Sequence, residues 1–200
     1  MSTIQQLFLR QSLWVQALIL TLTACLALFI VGFVMGRFRH LVIEGFLARL
    51  IGAKAAVFAG YYLTVIGTLH HELAHALGYL LTGGRVHKIS VLPKSEPDGT
   101  VRLGYVTSST RGPLLIRAIQ DTVGSTAPLL FGFLTVWMLW RFALPNAGGP
   151  AMRVFICYTI VSILLHMELS AADLKLLRRG LLPTLLIVYV LVFLILRFLT

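Results

Sequence analysis

The sequence predicts an all-α polytopic membrane protein with about five transmembrane helices and a small membrane-associated β-hairpin after the second. Three observations predict it. Of 200 residues, 58% are hydrophobic and only 12% charged, against about 25% charged in soluble domains. Apolar runs near the roughly 20 residues needed to cross a bilayer recur along the chain. The one long polar connection alternates with a period of two, as strands do. The length suits a single integral-membrane domain over residues 1–200.

The first predicted span is 13–35. Leu22-Thr23-Ala24-Cys25 has the look of a lipoprotein cleavage box. The apolar run nevertheless continues to Met35, beyond the about 7–15 residues of a signal peptide's apolar region. An uncleaved helix is therefore expected. The connection from Gly36 to Lys54 contains an amphipathic piece, Leu41 to Ile51, which suits a short helix lying along the interface. The second span is about 55–81.

Gly83 to Pro113 is the polar connection. Val86 to Leu92 alternates loosely, Pro93 to Thr100 is rich in turn formers, with Pro97-Asp98-Gly99 among them, and Val101 to Val106 alternates again. This predicts a β-hairpin over about 85–106. The third span is 114–144, strongest from Val123 to Trp140, the fourth 151–169 and the fifth 181–199.

The net charge is +10, yet the basic residues form no nucleic-acid face. They are spread between the apolar runs, where they suit contact with anionic headgroups of the lipid bilayer. With the N-terminus inside, ten Lys and Arg fall on the cytoplasmic side and seven on the other, which favours that orientation. Cys25 and Cys157 both lie in apolar runs and read as small core hydrophobes.

The second span carries the chemistry. Ionisable residues within a span are costly and by default functional, and His70, His71, Glu72 and His75 fall there. His71 and His75, four apart, share one helix face. They are spaced to bind one zinc ion, and Glu72 beside the first is placed to act as general base toward a zinc-activated water. His70 points about 100° away from His71 and reads as a hydrogen-bonded neighbour. With about 1.5 Å of rise per residue, His75 lies roughly 12 Å of helix before Gly83. The metal is therefore expected below the membrane surface.

Catalytic zinc takes a third protein ligand and leaves a fourth position open. The candidates are Glu44, Glu96, Asp98, Asp121, Glu168 and Asp173, with His166 as a further possibility.

His71-Glu72-Leu73-Ala74-His75, followed by Leu81-Thr82-Gly83-Gly84-Arg85-Val86, resembles the site-2 protease family of intramembrane zinc metalloproteases, closest to small bacterial members without a PDZ domain. The resemblance covers about 55–180. It implies a cytosolic β-hairpin after the metal-binding helix, which fits Arg85 to Val106. It implies a small-residue–proline element on the next helix, which fits Ser125 to Gly132. It also implies an aspartate as third ligand, which maps onto Asp173. Two features depart from the family pattern. Leu165-His166-Met167-Glu168-Leu169 stands where an Asn-Leu-x-Pro stretch is usual, and Leu174 replaces the glycine after the aspartate. The resemblance further implies a multi-pass protein of the bacterial plasma membrane that cleaves membrane-spanning protein substrates in or near their transmembrane segments. A free hairpin edge is suited to pairing with an unwound substrate strand.

Two other classes compete. A catalytically inactive pseudoprotease that binds membrane segments has no use for Glu72. A metal transporter expects polar residues on several spans, whereas the first and fifth have almost none.

Overall fold

A computed structural model describes residues 3–92, 94–95, 101–102 and 104–199. The chain is mostly helical. A short helix α1 (Thr3–Leu9) precedes α2 (Leu13–Arg39), which runs unbroken through Cys25. A π-helical segment (His40–Phe46) and α3 (Leu47–Ile51) follow, with Leu41, Phe46, Leu50 and Ile51 exposed. Then come α4 (Ala53–Leu63), α5 (Val65–Leu81), β1 (Arg85–Ser90), β2 (Lys94–Ser95), β3 (Val101–Arg102) and β4 (Tyr105–Ser109). The chain continues with α6 (Leu114–Met138), whose axis is prolonged by a π-helical turn to Ala143, then α7 (Pro150–Leu164) and α8 (Ala171–Leu199).

Among the described residues, three helices are long and apolar enough to cross a membrane: Leu13–Arg39, Leu114–Ala143 and Ala171–Leu199. Large hydrophobic side chains point outward along them, Phe29, Phe33, Leu134, Leu186 and Leu194 among them. That is the surface expected where lipid, not protein, is the neighbour.

The other two expected spans differ from their predicted form. The second is interrupted at Thr64, whose backbone leaves the helical region (φ −131°, ψ 28°). The Thr64 hydroxyl donates to the Gly60 carbonyl at 2.7 Å, while its backbone N–H turns to the Tyr61 carbonyl at 3.1 Å. The fourth ends at Leu164 instead of Leu169. There the His166 Nδ1–H donates to the Ser162 carbonyl at 3.0 Å, while the His166 backbone N–H turns to Ile163. The last helix starts ten residues before the expected 181, because Ser170 and Asp173 cap it.

β1 and β4 pair antiparallel, Arg85 opposite Ser109 and Ser90 opposite Tyr105, with an irregularity between Val86 and Lys88. β2 and β3 pair beyond them. The hairpin thus extends three residues past the expected Val106. Its predicted turn Pro97-Asp98-Gly99 lies outside the described residues. The hairpin folds back along α4 and α5: the Tyr61 hydroxyl of α4 donates to the Val91 carbonyl, and Gly104 reaches the Glu72 side chain of α5.

Small residues bring the helices together, as is common where packing rather than the hydrophobic effect drives association. A methyl group on Gly67 would collide with the Ser162 carbonyl of α7. One on Gly78 would meet Ala127 and Gly124 of α6, and one on Gly180 of α8 would strike Ala118 and Thr122. Leu129, Ile163 and Met167 form a buried apolar cluster, with Leu28, Val136, Leu139 and Leu164 around it. α5 is therefore held between α6 and α7.

Candidate metal centre

α5 carries His71 and His75 one turn apart. Their rings stand edge to face with centroids 4.7 Å apart, and their Nε2 atoms approach to 3.1 Å. Each ring is fixed by its other nitrogen. The Nδ1–H of His75 donates to the Gly124 carbonyl at 2.7 Å. That carbonyl is free because of Pro128: a helical carbonyl normally accepts from the N–H four residues on, and proline has none. The Nδ1–H of His71 donates to the His166 carbonyl at 2.6 Å. His166 lies just past the end of α7, where carbonyls lack helical partners.

Both Nε2 atoms therefore present lone pairs, and they face each other. Asp173 adds a third donor. Its Oδ1 lies 3.4 Å from the His75 Nε2. Its Oδ2 accepts from the Ser170 N–H at 2.9 Å and from the Ser170 hydroxyl at 2.6 Å, while the Asp173 N–H returns a bond to the Ser170 Oγ at 3.2 Å. This is a capping box at the start of α8. It occupies one carboxylate oxygen and turns the other toward the histidines.

His71, His75 and Asp173 have donor atoms all within 4.8 Å of one another, and together they could hold a metal ion. The chemistry of the set fits a cation. Three lone-pair donors converge with no hydrogen between them, and His75 and Asp173 are buried. The two short separations, 3.1 and 3.4 Å, match the roughly 3.4 Å expected between tetrahedral ligands with bonds of about 2.1 Å. Each histidine also has the carbonyl-bound second nitrogen typical of metal-ligating imidazoles.

Glu72 is buried beside this group. A cavity of about 160 Å³ opens on it, lined by Arg39, Thr68, His71, Glu72, Gly104, His166, Glu168 and Ser170. Gly104, just before β4, lies directly against the Glu72 carboxylate, where a Cβ would approach Oε1 to 2.7 Å.

The other candidate ligands lie elsewhere. Glu168 pairs with Arg39, with His40 Nε2 at 3.7 Å. The His166 ring is held by its own bonds, Nδ1 to the Ser162 carbonyl and Nε2 to the Thr68 hydroxyl at 3.0 Å. Asp121 sits on α6 outside the cluster. Glu96 and Asp98 lie outside the described residues, as does the side chain of Glu44. His70 hydrogen-bonds Thr135 of α6 at 3.0 Å, the neighbourly role its helix angle suggested. Three participants were not singled out from the sequence: Ser170, Gly104 and the Gly124 carbonyl. Ser170-Ala171-Ala172-Asp173 is a capping-box pattern that the sequence does display. Gly104 and Gly124 carry no local signal of their role.

No family model, characterised protein or solved structure matches this chain.

Proposed function

We propose that the protein is an intramembrane zinc metalloendopeptidase of the site-2 protease kind, hydrolysing peptide bonds in or near transmembrane segments of substrate proteins. One observation carries the reading: two histidines and an aspartate from α5 and α8 converge on one point, and a buried glutamate adjoins them inside a cavity. His71, His75 and Asp173 would hold the ion. Zinc in such a site supplies Lewis acidity, polarising a carbonyl and making a water acidic enough to ionise near neutral pH.

The chain's own residues do the rest. Glu72 takes the proton of the attacking water on a carboxylate oxygen and passes it to the leaving amine. The Gly124 and His166 carbonyls hold both imidazoles in the tautomer that leaves Nε2 free. Helical substrate must unwind before its carbonyl can be reached, and the hairpin beside Glu72 is suited to receive the extended segment as an added strand. In this reading α4–α5 and the 15-residue α7 also traverse the membrane, giving five passes, in a bacterial plasma membrane with the hairpin on the cytosolic side.

The test uses the full chain purified in detergent with a panel of single-span membrane proteins. Glu72→Gln should keep its metal and lose cleavage by at least about 100-fold, the lower range for a general base. Cleavage by Glu72→Gln equal to wild type would sink the proposal.

A further inference from the structure

The segment between α7 and α8 supports two of the three metal-binding side chains. The His166 carbonyl accepts the His71 Nδ1–H at 2.6 Å. Four residues on, Ser170 binds the Asp173 carboxylate through both its N–H and its hydroxyl. Midway between them stands Glu168, whose carboxylate pairs with the Arg39 guanidinium at the C-terminal end of α2. The side chains are 14% and 21% exposed, so the pair is largely removed from solvent. α2 fits closely here: a Cβ on Gly36 would overlap the Glu168 side chain, and one on Gly32 would meet the Met167 carbonyl at 3.1 Å.

We propose that Arg39 and Glu168 are positioning residues for the metal centre: their ion pair pins the α7–α8 segment to α2, holding the His166 carbonyl against His71 and Ser170 against Asp173. Neither residue donates to the ion. They act through backbone and cap, by fixing where the segment's two anchor points lie. The inference rests on the metal-site reading above and gives α2 a task that no residue of the motif performs.

Charge alone makes a different prediction, which the test exploits. Both residues border the cavity that contains His71. If they acted only through their field, removing the Arg39 cation would tighten binding of a divalent cation, and removing the Glu168 anion would weaken it. Positioning predicts that both weaken it.

The experiment measures Zn²⁺ affinity by chelator competition on the full chain in detergent, for wild type, Arg39→Gln, Glu168→Gln and the double variant. Co²⁺ absorption reports the geometry of the site, and thermal melting of the apo-protein reports the fold. Each single variant should lose about tenfold in affinity, as for other residues that orient ligands, and the double should lose no more than the larger single loss. The double also removes the two charges together, so it leaves no lone buried charge and remains informative if a single variant unfolds. Its affinity should fall and its Co²⁺ spectrum should broaden or shift. A double variant with wild-type affinity and spectrum overturns the inference, as does tighter binding by Arg39→Gln. A wild-type chain that binds neither metal overturns the site itself, and this inference with it.

Discussion

At the residue scale, the centre depends on groups that merely lack something. Pro128 lacks an N–H, and the Gly124 carbonyl is thereby available to His75. Pro128→Ala supplies the missing donor, which then competes for that carbonyl. The variant should be at least as helical, yet bind Zn²⁺ about tenfold more weakly by chelator competition. Unchanged affinity would mean that the carbonyl is not what orients His75. Ser170 acts in the opposite way, by supplying donors. Ser170→Ala removes the hydroxyl that bonds Asp173, which should cost about 1 kcal/mol of helix capping and lower metal affinity as well. The melting midpoint and a zinc titration read the two effects separately. Gly104 contributes by having no side chain. Gly104→Val drives a branched group into the Glu72 carboxylate, so cleavage should fall while zinc content stays at the wild-type level.

At the element scale, α5 is positioned by close approaches on two sides. Gly67 lets it lie against α7, which brings His71 to the His166 carbonyl. Gly67→Val should separate the two helices, with a loss of about 1–3 kcal/mol as in other overpacked interiors, and should reduce zinc retention during purification. A variant with wild-type melting and zinc content would show that the approach is dispensable.

The elements also show what was legible in the sequence. His71, Glu72 and His75 were readable because the motif is confined to five residues of one helix, where spacing fixes geometry. The long apolar runs of α2, α6 and α8 were readable because hydropathy alone demands them. The breaks were not. α4 ends where the Thr64 backbone leaves the helical region, and α7 ends where the His166 ring takes over the Ser162 carbonyl; both breaks fall inside runs that hydropathy reads as continuous. Asp173 was open among several acids on the residues alone. What selects it is tertiary: the capping box turns one oxygen inward, and the close approach of Gly180 to α6 holds the first turns of α8 beside the core.

At the scale of the whole molecule, the apolar exterior and the polar centre make opposite demands. α2 and α8 present almost continuous apolar surface, whereas α5 carries buried polar groups, which need partners once removed from water. Four polar groups of the centre find partners: each histidine has a carbonyl, Asp173 has Ser170, and Glu168 has Arg39. What remains is the convergence of three lone-pair donors, which a cation would satisfy. Metal binding should therefore stabilise the fold as well as enable chemistry. At free zinc 100-fold above its dissociation constant, the holo-protein should be about 2.7 kcal/mol more stable than the apo-protein, and a chelator should lower the melting temperature of wild type but not of His75→Ala.

The most direct measurement is zinc-edge X-ray absorption on the purified wild-type chain, with metal content determined on the same sample. The account predicts one zinc per chain with two imidazole nitrogens and a carboxylate oxygen in its first shell at about 2.0–2.2 Å, and loss of that oxygen contribution in Asp173→Ala. A chain that purifies without zinc, or a first shell unchanged by Asp173→Ala, would contradict it.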